Sequence, residues 1–133
     1  MNNTGIPVAY FATLNHEEQV RLDPDSLESL YAELGPAGAE NVVCRAMEEL
    51  ALRLADLAAL HRTGQLDELT RVARSLIAIS SQVGLASFAR VARDVADCAE
   101  GDDPIALGAT LCRLERIGDR SLTAVWDLQD PPF

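Results

Sequence analysis

Four arginines are the residues in this sequence whose type and spacing suggest chemistry. Arg71, Arg74, Arg90 and Arg93 lie in a stretch from Leu69 to Arg93 that contains no Asp or Glu. The whole chain carries a formal net charge of −10, so this stretch is a local reversal of sign. A guanidinium is planar and donates in pairs to carboxylate or phosphate. The chemistry on offer is recognition of an acidic partner, set against the plainer reading of a solvated helix face. Nucleophilic attack is not on offer, because a guanidinium keeps its proton in proteins.

The remaining reactive residue types point to structure. There is no Gly-rich phosphate loop, nucleophile elbow, HExxH or paired-Cys metal spacing. Glu48 and Glu49 are adjacent, and adjacent helical side chains point in different directions. Asp102 and Asp103 precede Pro104 and read as a helix cap. His61 continues an apolar stripe at the end of a helix. It reads as a packed histidine whose charge would suit the helix dipole. Cys44, Cys98 and Cys112 are odd in number and widely spaced. They read as unbridged, mostly buried thiols in a reducing compartment, which implies a cytoplasmic protein. His16 and His61 are far from any Cys, so no zinc site is expected. The expectation is no catalytic residue, no metal and no cofactor.

The elements that position these groups are helices. Of the 133 residues, 48% are apolar but only 5% aromatic, and Ala and Leu dominate, which favours helix on helix over a sheet. Phe88, Tyr31 and Trp126 read as core pins. Asp23-Pro24-Asp25-Ser26 is a helix start, with Asp as cap and Pro in the first turn. A short helix from Ser26 to Leu34 stops at Gly35-Pro36. A long one follows, from about Ala39 to Arg62, with Val43, Met47, Leu50, Leu54 and Leu57 on one face. Thr63-Gly64 ends it. The next spans about Leu66 to Val83, with Leu69, Val72, Ala73, Leu76, Ile79 and Val83 inward, and ends at Gly84. Another spans about Ala86 to Ala99, with Phe88, Val91, Ala92 and Val95 inward. After Glu100-Gly101, the last runs from about Ile105 to Asp127 on Leu107, Leu111, Leu114, Leu122 and Val125. Gly118 is a weak point within it. Short loops make sequential neighbours antiparallel. The fold expected is all-α: an antiparallel up-down four-helix bundle with a short extra N-terminal helix. Residues 1–22 are expected as a tail, partly packed through Tyr10, Phe11 and Leu14. Residues 23–128 form the bundle, and 129–133 are a second tail.

The arginines then fall on a surface. With Leu76 at the centre of the buried face and roughly 100° per residue, Arg74 lies roughly 160° away, toward solvent. Arg71 and Ala78 flank it, Thr70 and Ser81 lie near it, and Ile77 sits at the edge. With Arg90 and Arg93 on the following helix, these residues form a candidate docking surface on which small side chains allow close approach. The acidic net charge excludes nucleic acid. No apolar run is long enough to span a membrane. Residues 1–14 lack the basic start of a signal peptide.

In this region the sequence resembles the histidine-containing phosphotransfer (Hpt) domain of bacterial phosphorelays, from about Leu22 to Ala99. Leu27 to Gly35, the Ala/Leu-rich long helix and Leu60 to Asp67 look like the approach to the family signature. Ala73-Arg74-Ser75-Leu76-Ile77-Ala78, with Gly84 six residues on, falls on the signature itself. That signature is a phosphorylated His, any residue, Leu, Lys and Gly. Its His falls on Arg74, its Leu on Leu76, its Lys on Ile77 and its Gly on Ala78, so only the Leu is kept. The resemblance implies a degenerate module that binds a response-regulator receiver domain, or a histidine kinase, without relaying phosphate. Arg74 would stand at the lost phospho-site, facing the partner's acidic pocket. Two other readings remain open. One is a helical dimerisation module, motivated by Ile77, Val42 and Leu52, which lie off the main stripes. The other is an active phosphotransferase that uses a non-standard His.

Overall fold

The computed structural model describes residues 23–129. Four helices account for nearly all of them: α1 (Pro24–Arg62), α2 (Leu66–Gln82), α3 (Ala86–Glu100) and α4 (Pro104–Gln129). There is no strand among the described residues. The expected tail at 1–22, with Tyr10, Phe11 and Leu14, lies outside the described residues, as do residues 130–133. The side chains of Val125 and Trp126 also lie outside what is described.

The helix starts are built by aspartates. Asp23 Oδ1 accepts from the Asp25 N–H at 3.1 Å, and Asp23 Oδ2 accepts from the Ser26 hydroxyl at 2.9 Å. Asp103 does the same for α4, accepting from the Ala106 N–H at 3.1 Å. Each caps donors that have no partner within the helix, just ahead of a Pro that needs none.

The sequence suggests two helices before Arg62, divided at Gly35-Pro36, and the backbone does break there. One helical element runs from Pro24 to Arg62, broken only at Gly35, whose φ is 75° and ψ 169°. Pro36 disfavours helical backbone in the residue before it, and Gly tolerates the positive φ found there. The stop signal is therefore a kink, and the helix resumes immediately.

Connections of three residues, at 63–65, 83–85 and 101–103, join the helices. Each helix packs on the next in sequence, most extensively α2 on α3, and α1 also meets α4. The core contains Val43, Met47, Leu50, Leu57, Leu69, Ala73, Leu76, Val83, Phe88, Val91, Ala92, Val95, Leu107, Leu111 and Leu114, all foreseen from periodicity. It also contains Leu85 and Ile117, which periodicity does not single out. Leu54, Val72, Ile79 and Leu122 pack against it while half-buried. α3 is the most enclosed element. Ser87, Phe88, Ala89, Val91, Ala92, Val95, Ala96 and Ala99 are all buried, because α3 has a neighbouring helix on two sides.

Two glycines are fixed by close approach. Gly84 has φ 77°, and its carbonyl accepts from the Asp23 N–H at 2.6 Å. A Cβ there would lie 2.6 Å from the Asp23 carbonyl oxygen. The α2–α3 turn and the start of α1 are thus in backbone contact. Gly118 is not a weak point. A Cβ there would lie 2.8 Å from Leu54 Cδ1 and 3.2 Å from Phe88 Cε2, so its missing side chain lets α4 settle against both.

Gly84→Ala should lower stability by about 2 kcal/mol or more, from left-handed strain plus a backbone clash. Gly118→Val should lower it by about 2–3 kcal/mol through overpacking. Gly108 has open space around its Cα. Gly108→Ala should raise stability by about 0.5–1 kcal/mol through helix propensity. Urea denaturation midpoints for the three variants check this ordering.

Candidate functional site

The exposed side of α2 carries Asp67, Arg71, Arg74, Ala78 and Ser81, at the three- and four-residue spacing of one helix face. The exposed side of α3 carries Arg90, Arg93, Asp97 and Glu100. The turn at 83–85 brings the two helices together, with Ser81 and Arg90 toward the turn and Glu100 toward the open end. Arg74 reaches across this hairpin to form an ion pair with Glu100. The two side chains are 48% and 54% exposed.

The charges differ from a plain basic patch. Arg71 pairs with Glu68, one turn earlier on α2, at 2.5 Å. Arg74 is held by Glu100, 26 residues away in sequence. Both carboxylates lie outside the acid-free stretch Leu69 to Arg93, Glu68 at its border and Glu100 at the end of α3, which is why charge counting does not reveal them. Arg90 and Arg93 are exposed and make no ion pair among the described residues. Asp94, one residue after Arg93, turns toward α4 instead, with its Oδ2 3.9 Å from Arg113 Nη1.

The other surface candidates divide. Ala78 and Ser81 are exposed. Thr70 is half-buried, and its hydroxyl donates to the Leu66 carbonyl at 2.9 Å. Ile77 is half-buried against the core, and so is Val42. Of the three residues that motivated a dimer face, two are thus already packed on the chain's own core. Only Leu52 stands out, at 64% exposed.

Arg53 is a neighbour that sequence reasoning missed. From α1, its Nη1 donates to Ser75 Oγ on α2 at 2.8 Å, and Nη2 lies 3.7 Å from Glu49 Oε2. The Ser75 hydroxyl donates in turn to the Val72 carbonyl at 2.6 Å. Ser75 follows Arg74 directly, so Arg53 fixes α1 against the flank of α2 beside the site. The spacing from Glu49 was visible as a helical pair; the contact with Ser75 was not.

His61 is exposed rather than packed; in the last turn of α1 it is Leu60 that meets the core. His16 lies outside the described residues. The cysteines depart from the expected burial too. Cys44 and Cys98 are half-buried at the margins of their helices' apolar faces, and Cys112 is exposed on the outer side of α4. Glu48 is exposed on α1, apart from Glu49 and its Arg53. No cluster suited to a metal ion occurs among the described residues. No helix among them is long and apolar enough to cross a membrane.

No protein-family model matches the chain, and neither the curated proteins nor the solved structures contain a match.

Half-exposed ion pairs contribute about 0–1 kcal/mol, whereas a partly buried inter-helix hydrogen bond from a charged group contributes about 1–2 kcal/mol. Arg74→Gln should therefore cost less than about 1 kcal/mol and leave the far-UV circular dichroism unchanged. Arg53→Ala should cost about 1–2 kcal/mol. Thermal denaturation of both variants separates a surface residue from a structural one.

Proposed function

We propose that this chain is a degenerate Hpt-like module, an antiparallel up-down four-helix bundle that binds a response-regulator receiver domain and does not relay phosphate. The observation that carries the reading is Arg74. It is exposed midway along α2, at the position where the resemblance puts the phospho-accepting His. The packing order supports the bundle: each helix lies on the next in sequence, and α4 lies back on α1.

In this reading Arg74 replaces a transient phosphoryl group with a fixed positive charge. It pairs with the carboxylates of an acidic receiver pocket, donating through a planar fork. Ala78 and Ser81 present little bulk beside it and admit a partner backbone closely. Arg90 and Arg93 extend the positive surface and speed encounter with an acidic partner. Transfer does not occur, since Arg74 offers no nucleophile. The module would shield or sequester a regulator in the cytoplasm, and a histidine kinase is the other partner the resemblance allows. Self-association through α1 is the less favoured reading, because Leu52 has lost its two companions to the core.

Titration against purified receiver domains from the same organism tests the proposal. At least one should bind at micromolar concentration. Arg74→Glu should weaken that binding tenfold or more, because it sets like charges against each other. The absence of micromolar binding, or indifference to Arg74→Glu, overturns the reading.

A further inference from the structure

We infer that Glu100 is an internal competitor for the docking site: its carboxylate occupies the Arg74 guanidinium in the free protein and gives way to a receiver-domain carboxylate on binding. The inference rests on the docking role proposed above and concerns how that site is held between encounters.

Glu100 is the last residue of α3. A carboxylate there faces the negative end of the helix dipole, an unfavourable place for it. The last turn of α3 has no basic residue to offset this, and Asp97 stands one turn earlier on the same exposed side. Arg74 is the group that compensates, from the neighbouring helix. Both side chains are about half exposed, so water competes with the pair and it opens readily. The pair also shows that a carboxylate can reach the Arg74 fork on this surface. An incoming carboxylate therefore meets an Arg that is already occupied, and binding is an exchange. The nearby Arg90 and Arg93, without an ion pair among the described residues, can attract the partner before that exchange.

The competition is removed by Glu100→Gln, which keeps the length of the side chain and loses its charge. Asp97→Asn is the control, since it deletes the same charge from the same strip without touching Arg74. In calorimetric titration with a receiver domain, Glu100→Gln should tighten binding about two- to fivefold, the range an exposed pair supports. Asp97→Asn should change it by less than half as much. In an Arg74→Gln background, Glu100→Gln should have no more effect than Asp97→Asn. Circular dichroism should show every variant folded.

Receiver binding that tightens no more for Glu100→Gln than for Asp97→Asn overturns the competitor role and leaves the docking role standing. An effect of Glu100→Gln that survives without Arg74 also overturns it, because the carboxylate would then act on the partner directly. If no receiver domain binds the wild type or Glu100→Gln, both proposals fall.

Discussion

The packing of α2 against α3 governs the rest of this structure. Leu69, Ala73, Leu76 and Ser80 are buried on α2, and small residues alternate with Phe88, Val91 and Val95 on α3. Small side chains bring two helices close, and close-packed interiors tolerate little displacement. The spacing across the outer surface of this hairpin follows from that contact. Arg74 and Glu100 meet because their helices are pressed together one layer below them.

The hairpin is also where the start of the described chain is tied down. Gly84 turns α2 into α3 with a left-handed backbone, and its carbonyl holds the Asp23 N–H. The same Asp23 caps α1. A single glycine thus serves both a turn and a helix start, and a side chain there would collide with the Asp23 backbone. At Gly118, α4 uses the absence of a side chain differently, to lie against Leu54 and Phe88. There the glycine is helical, and what matters is room rather than dihedral freedom.

The surface electrostatics follow from this scaffold. In a chain of net charge −10, Arg71 and Arg74 are each paired with a carboxylate. These pairs contribute little to stability. Their effect is on the potential of the surface, which is less positive around α2 than a count over Leu69 to Arg93 implies. On this hairpin, the positive charge that remains without an ion pair among the described residues belongs to Arg90 and Arg93 on α3.

The local features were legible in the amino-acid order. Caps at Asp23 and Asp103, the breaks at Gly35, Gly64, Gly84 and Gly101, and most of the apolar stripes depend on interactions within a few residues, which one-dimensional pattern carries directly. The exposed position of Arg74 was legible for the same reason, since helical phase relative to Leu76 settles it. The resumption of helix directly after Gly35 was not, because the apolar periodicity of the second segment begins only near Ala39. Nor were the half-buried position of Val42, the use of Gly118, the Arg53–Ser75 bridge, or the Arg74–Glu100 pair. Each depends on which helix lies beside which face, and at what distance. Sequence by itself determined the helices and the direction each side chain leaves its helix; only the tertiary structure decided what that side chain meets, because groups 26 residues apart become neighbours only when the core between them has packed.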